Sequence, residues 1–434
     1  MAAGWQSEIQ HIQSSQRWNF GTLDELLGIL RQMAKEVRDM LKRLRSLGIT
    51  LALLVLLATL GGTSIARDHT YSGDDDYDPA AGGSPEQSVV AIPDQATPAT
   101  VPTFSGDDAY DPAAGGLPEL SVTAGDGVQV VSDFSSADGG LPEGLIIDKS
   151  GNMYVTVGYP FWFEIPEGFG EVWRIDTDGQ ITVLDAWPGG PSGAGLAVGP
   201  SGVLYYAYPN PPDPDTNGVY RLDGQGERER LPGSENIALA NGLALNRKGD
   251  LYVSDSLLGA VWRIPHDGGA AEIWARHEFL AGCDVGGFGA NGVALWKESL
   301  YVANTDMGLL TRVPILEDGR AGEPEIIAGD SDCDPSDELF SMDGLALDVH
   351  GNVFALLVLT SKLVRIDPVD GSHTVLLTAE DGLSNPASIA FGTGKGNRQS
   401  VLMSNFALLE PGPPGNLGPG VLKLDVGTPG LPLP

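Results

Sequence analysis

The sequence predicts an all-β fold, a six-bladed β-propeller, preceded by an N-terminal helix and a transmembrane segment. Three observations predict the propeller: a segment that recurs six times, four short strand patterns in each copy, and a spare strand upstream of the first copy. The copies read "LPEGLIIDKSGNMYVT", "SGAGLAVGPSGVLYYA", "ALANGLALNRKGDLYVSDS", "GANGVALWKESLYVAN", "SMDGLALDVHGNVFAL" and "NPASIAFGTGKGNRQSVLMSN". Equivalent positions fall at Glu143, Ala194, Asn241, Asn291, Asp343 and Ala387, separated by 51, 47, 50, 52 and 44 residues. A near-constant period of this size marks a repeat architecture.

Each copy resolves into strands. In the third they are "GLALN", "LYVSD", "AVWRIP" and "AEIWAR", separated by Lys-Gly and Asp-Gly turns. Four antiparallel strands repeated radially make a propeller blade. The last copy has "VLMSNF" and "GVLKLDVG" and is one strand short. The spare strand "VQVVSDF", residues 128–134, completes it and closes the ring, which removes unpaired strand edges.

Composition fits this reading. The chain has 434 residues, and its 59 glycines and 31 prolines suit a turn-dense β fold. Net charge is −33. Residues 1–67 hold eight Lys/Arg and five Asp/Glu, which leaves 17 basic and 53 acidic residues beyond them. So acidic a region repels nucleic acid and anionic lipid and attracts divalent cations. Much of that charge has the simpler role of a solvated surface.

The N-terminal third lies outside the repeats, and four regions follow: 1–45, 46–66, 67–125 and the propeller, 126–434. Residues 46–66, "SLGITLALLVLLATLGGTSIA", carry no charge and are long enough to span a bilayer. Lys42, Arg43 and Arg45 precede them, which puts the N-terminus inside and the propeller on the extracytoplasmic side. A signal peptide cleaved after Ser64-Ile65-Ala66 is the rival reading, and it yields a secreted propeller. Ahead of this span, Leu23, Leu26, Leu30, Met33, Val37, Met40, Leu44 and Leu47 form a heptad seam. It reads either as a coiled coil joining copies of the chain through residues 23–47 or as an amphipathic helix on the inner leaflet. Residues 67–125 are acidic and rich in Pro, Gly and Ala, and they contain a duplicated "YDPAAGG". No EF-hand pattern is present there, and a self-repelling stalk is the reading adopted.

The site is predicted from phase. In a propeller the innermost strand of every blade begins beside the central channel, so the residue before its glycine faces the axis. That ring reads Glu143, Ala194, Asn241, Asn291, Asp343, Ala387. Two carboxylates and two amides supply oxygen ligands that suit a hard cation, Ca²⁺ or another divalent ion. The ring has neither His nor Cys, which argues against zinc. The simpler alternative is that Asn and Asp only cap turns at strand starts. Against it, Ala194 and Ala387 show that the position does not demand a polar turn residue.

The repeated pattern of Glu, Asn or Asp, then Gly, an aliphatic pair and "G-x-[L/M/V]-[Y/F]-V", resembles the calcium-dependent six-bladed propellers. These are regucalcin and gluconolactonase, luciferin-regenerating enzyme, diisopropylfluorophosphatase and the paraoxonases. The resemblance covers about residues 126–426. It implies that Glu143, Asn241, Asn291 and Asp343 hold Ca²⁺, with Glu143 and Asp343 as candidate catalytic residues, and that the chain is a hydrolase of lactones or related esters. The chain also departs from the family pattern. It has "EGLIID" where the gluconolactonase branch places a proline and an aromatic after its Glu. It has Ala194 where the paraoxonase branch places a His. His266, His277, His350 and His373 fall outside the inner strand mouths. A non-catalytic, NHL-like propeller that binds a protein or polymer outside the cytoplasm therefore stands as the alternative. A metal-free, strictosidine-synthase-like propeller fits the ring less well.

Cys283 and Cys333, the two cysteines, sit in loops that enter adjacent blades from the same face. An exported propeller permits a disulfide between them.

Overall fold

The computed structural model describes residues 127–433 except 135–139, 160–168, 189, 225, 285–286 and 409–416. The expected N-terminal helix, membrane span and linker lie outside the described residues. Among the described residues no helix is long and apolar enough to cross a membrane.

The described residues form 24 strands in six four-stranded antiparallel sheets. Strand β1 (Gln129–Asp133) comes first. Blade 1 contains β2 (Pro142–Ile147), β3 (Met153–Gly158), β4 (Phe169–Ile175) and β5 (Ile181–Pro188). Blade 2 contains β6 (Leu196–Val198), β7 (Leu204–Tyr208), β8 (Gly218–Leu222) and β9 (Arg228–Arg230). Blade 3 contains β10 (Ala240–Leu245), β11 (Leu251–Asp255), β12 (Ala260–Ile264) and β13 (Glu272–Arg276). Blade 4 contains β14 (Ala290–Trp296), β15 (Ser299–Asn304), β16 (Leu309–Pro314) and β17 (Glu325–Ala328). Blade 5 contains β18 (Met342–Leu347), β19 (Val353–Leu357), β20 (Lys362–Ile366) and β21 (His373–Leu377). Blade 6 contains β22 (Pro386–Phe391), β23 (Ser400–Asn405) and β24 (Gly420–Asp425), and β1 is its outer strand. Strand β1 pairs antiparallel with β24, Gln129 opposite Lys423 and Asp133 opposite Gly420, so the two ends of the propeller close one blade.

The first strands of neighbouring blades pack on one another around the axis. Burial follows from this. Both faces of a middle strand meet a neighbouring blade, so β11 "LYVSD" and β19 "VFALL" are buried throughout. Outer strands keep one face in water, and β13 "EIWAR" is largely exposed. Six apolar clusters result, one at each junction between blades. Tyr206, Tyr252, Tyr301 and Phe354 are among the largest fully buried side chains.

At the axis the blades touch through backbone. A Cβ on Gly144 would collide with the carbonyl oxygen of Ala194, and one on Gly195 with that of Asn241. The same holds for Gly242 with Asn291, Gly292 with Asp343, and Gly344 with Ala387. Hydroxyls staple three junctions. Thr156 Oγ1 accepts from Gly144 N (2.7 Å) and donates to Ala194 O (2.9 Å). Ser254 Oγ links Gly242 N to Asn291 O in the same way. Ser404 Oγ accepts from Ser388 N (2.8 Å) and donates to Glu143 O (2.6 Å), tying blade 6 to blade 1.

Cys283 and Cys333 form a disulfide with Cα atoms 5.8 Å apart. It joins the segment entering β14 to the segment entering β18.

Two expectations follow from this architecture. Gly242→Ala and Gly292→Ala should each destabilise the propeller by about 1–3 kcal/mol, the usual cost of overpacking. Gly224, where an added Cβ meets nothing within 4 Å, should tolerate alanine. Urea unfolding of the three variants checks this, and equal midpoints would refute the close packing. Native protein should also show no alkylatable thiol by mass spectrometry. Reduction should cost about 3–4 kcal/mol in the chain-entropy model, because the bond closes a separation of 50 residues.

Candidate active site at the channel floor

The residue before each axial glycine sits at a break in the strand ladder. Register shifts fall between Pro142 and Leu145, Ala240 and Leu243, Ala290 and Val293, Met342 and Leu345, and Pro386 and Ile389. Five of the six innermost strands therefore bulge at the same two residues. A bulge bends the strand and re-aims a side chain. Here it frees the ring residue from the sheet face and turns it to the channel.

Glu143, Ala194, Asn241, Asn291 and Asp343 line one cavity of about 260 Å³. Ala387, the sixth ring position, is buried and is not part of its lining, whereas Phe406 and Leu408 of the same blade are. Among the described residues no three of His, Cys, Asp and Glu come together in a metal-binding group. A cation here would rest on two carboxylates and two amides.

The amides are held in one orientation. Ser256 Oγ donates its proton to Ala290 O (2.7 Å), and Thr305 Oγ1 donates to Met342 O (2.9 Å). Each hydroxyl can then only accept from a neighbouring amide, which must offer its nitrogen. Asn241 Nδ2 donates to Ser256 Oγ at 3.1 Å and Asn291 Nδ2 to Thr305 Oγ1 at 3.0 Å. The amide oxygens are thus turned away from the hydroxyls. Asn291 Oδ1 and Glu143 Oε2 are buried and have no hydrogen-bond partner among the described residues.

This separates the ring from ordinary turn residues. Asp148 Oδ1 accepts from Ser150 N (2.8 Å) and Asn152 N (2.9 Å), and Asn246 Oδ1 accepts from Lys248 N and Asp250 N (both 2.9 Å). Those oxygens are spent on capping a turn. Glu143 Oε2 and Asn291 Oδ1 are not.

Glu143 and Asp343 keep part of their surface open to the channel, yet protein crowds both carboxyl groups. Loss of water raises the Glu143 carboxyl well above the usual range, and the negative charge of Asp343 adds to it. Burial pushes Asp343 up to about 8, partly opposed by a hydrogen bond from Asn291.

Ser256, behind the ring, and Thr305 and Asp306, in the cavity wall, were not anticipated from the repeats. Ser256 and Thr305 orient the amides, and their signal was present: a hydroxyl residue at the same place in "VSDS" and "ANT", in the two copies that carry ring asparagines. Asp306 is a third carboxylate in the wall. Its Oδ2 accepts from Cys283 N (3.1 Å), and burial raises it above the usual range. Among the described residues no histidine lines the cavity: His266 lies beside Asp250, His277 beside Glu323 and His373 beside Glu338.

A second cavity, about 230 Å³, lies on the far side of the ring glycines, among Leu145, Leu243, Val293, Leu345 and Ile389. Leu431 packs on the cluster of blades 4 and 5 and Leu433 on that of blades 1 and 2, so the C-terminal residues cross this end. Among the described residues no titratable side chain lines it.

No family model matches the chain, and no curated protein matches it in sequence. Similar solved structures include a gluconolactonase-family protein, with a TM-score of 0.51 at 17% identity over 71% of this chain and 95% of that one. Luciferin-regenerating enzyme is similar with a TM-score of 0.50 at 14% identity, over 70% of this chain and 97% of that one. A calcium-binding regucalcin from Agrobacterium tumefaciens aligns with a TM-score of 0.49 at 18% identity, over 68% and 92%. What the likenesses to the gluconolactonase-family protein and to luciferin-regenerating enzyme establish is the fold: the chain is a six-bladed β-propeller.

Proposed function

We propose that the chain is a Ca²⁺-dependent hydrolase of lactones or related esters, with its site at the channel floor. The observation that carries this reading is the pair of buried, unpartnered oxygens, Glu143 Oε2 and Asn291 Oδ1, beside a second carboxylate and a second pre-oriented amide. Buried polar atoms are nearly always satisfied, so such orphans point to a missing partner. The donor set fits a hard, oxygen-seeking cation: Glu143, Asn241, Asn291 and Asp343 would hold it. When bound, it would supply Lewis acidity to the carbonyl oxygen of the substrate.

The chain's own residues do the rest. Ser256 and Thr305 each take one amide N–H and so fix which way the Asn241 and Asn291 amides face. Asp343 takes a proton from the attacking water. Water adds across the acyl C–O bond, so a lactone opens to a hydroxy acid and an ester gives acid and alcohol. The Cys283–Cys333 bridge supports an exported propeller, which residues 46–66 would hold at the membrane.

Metal and protons compete for the same carboxyls. In the metal-free protein Asp343 ionises near 8 when folded and near 3.9 when unfolded, so the folded state binds the extra proton between those values. Stability of the metal-free protein should therefore fall as pH rises from about 4 to about 8. Ca²⁺ affinity should rise over the same window. Thermal unfolding in EDTA and in Ca²⁺ at pH 5 and pH 8 checks both signs. A Ca²⁺-induced shift in Tm that is equal at the two pH values would sink the floor as a metal site.

Glu143→Gln and Asp343→Asn keep shape and remove charge. Each should weaken Ca²⁺ binding by about 100-fold or more and abolish lactone hydrolysis, as read by calorimetry and a pH-stat assay. Unchanged Ca²⁺ affinity in Asp343→Asn would place the metal elsewhere. A Ca²⁺-loaded wild type inert on lactones, aryl esters and phosphotriesters would instead favour the non-catalytic binding propeller.

A further inference from the structure

The walls above the ring differ in chemistry from its floor. Pro209, Leu239, Phe288, Leu359, Phe406 and Leu408 line the cavity. They belong to segments that enter the first strands or leave the second strands of blades 2 to 6, so the apolar lining runs around most of the channel. Leu239 and Phe406 are buried, and Leu359 is 54% exposed at the rim. The polar wall groups are already engaged. Ser192 Oγ donates to Gly193 O (3.0 Å), Thr305 Oγ1 serves Asn291 and Met342 O, and Asp306 Oδ2 accepts from Cys283 N.

Such walls treat two kinds of substrate differently. A polyhydroxylated lactone brings hydroxyls that must leave water, and each one left without a partner costs roughly tenfold in affinity. An alkyl or aryl arm leaves water at a gain, roughly fourfold per buried methylene. The floor serves only the reacting group in either case.

We infer that the site takes lactones or esters carrying an apolar alkyl or aryl arm, and that Leu239, Phe288, Leu359 and Phe406 select that arm over a polyhydroxylated ring. The inference rests on reading the floor as a hydrolytic site, and it adds the substrate class. The reaction is the hydrolysis already balanced: water in, the acyl C–O bond broken, hydroxy acid out, with the arm unchanged on the wall.

The test uses the full chain loaded with Ca²⁺ and two matched comparisons. The first is γ-butyrolactone against γ-lactones with alkyl tails of two, four and six carbons. The second is δ-valerolactone against glucono-δ-lactone. Expected is a kcat/KM that climbs roughly fourfold per methylene over the first carbons, and glucono-δ-lactone at least tenfold below δ-valerolactone. Leu359→Asp, at an exposed rim position, and Phe406→Ser should each cut the ratio of longest-tailed to tailless rates at least tenfold. Glucono-δ-lactone hydrolysed as fast as the tailed compounds, or a tail ratio that ignores Leu359→Asp, would overturn the substrate class while the hydrolase reading stands. If no lactone is hydrolysed, calorimetry with the longest-tailed lactone separates the two ideas. Binding that Leu359→Asp weakens keeps the apolar site and sinks the hydrolase. No binding sinks the inference.

Discussion

Where adjacent inner strands meet, each axial glycine lies against the backbone carbonyl of the next ring residue. There is no room for a Cβ between Gly242 and Asn291 or between Gly292 and Asp343. This contact sets how close the blades come to the axis. It also forces the bulge, because a regular ladder cannot continue through a residue whose neighbour is another blade's carbonyl. The bulge in turn leaves the glycine N–H without a ladder partner, and a buried N–H needs one. Thr156 and Ser254 supply it at Gly144 and Gly242, and Ser404 does the same for Ser388 N–H in blade 6, each with one hydroxyl that also grips the next blade. Closure, bulge and staple are therefore one device, and the inward aim of the ring side chains is its by-product.

That geometry creates an electrostatic problem which the chain does not solve with its own groups. Two carboxyls are brought together where water is scarce, and among the described residues no Lys or Arg lines the cavity. At the floor both carboxyls are driven upward, by loss of water and, at Glu143, by the charge of Asp343. Asn291 relieves this only in part, through its hydrogen bond to Asp343, and the nitrogens of Asn241 and Asn291 also serve Ser256 and Thr305. What remains is a cluster of oxygens with no positive charge among them. A dication satisfies that arrangement with little rearrangement, because the hydroxyls have already set the amides.

How much of this was legible in the sequence follows from what repeats. The blades were, because each must present apolar faces to two neighbours, and that demand recurs every 44 to 52 residues. The ring was, because Glu143, Asn241, Asn291 and Asp343 share one phase with a glycine that cannot vary. Ser256 and Thr305 carried a signal that needs the fold to interpret: two residues beyond a strand position, a hydroxyl means little until the neighbouring blade's carbonyl is known to sit beside it. The walls were not legible. Leu239 and Phe288 precede inner strands while Pro209, Leu359 and Phe406 follow the second strands, so no single phase collects them. Ala387 shows the limit of phase itself. It opens the inner strand of blade 6 as the others open theirs, but the cavity on that side is lined by Phe406 and Leu408.

The disulfide belongs to the same structure as the ring. Cys283 N–H holds Asp306, Asp306 N–H donates to Phe288 O (2.9 Å), and Thr305 N–H donates to Gly289 O (3.1 Å). Thr305 then fixes Asn291 through its hydroxyl, and that hydroxyl donates to Met342 O, next to Asp343. A continuous run of hydrogen bonds thus leads from the bridged loop through the wall to an amide and a carboxylate of the floor. The bond at Cys283 and Cys333 joins the two segments that deliver those residues, one into blade 4 and one into blade 5. Its constraint therefore acts where the relative placement of Asn291 and Asp343 is decided. In a ring of four oxygen-bearing side chains that spacing, more than the identity of the side chains, separates a cation site from a pair of buried acids that keep their protons.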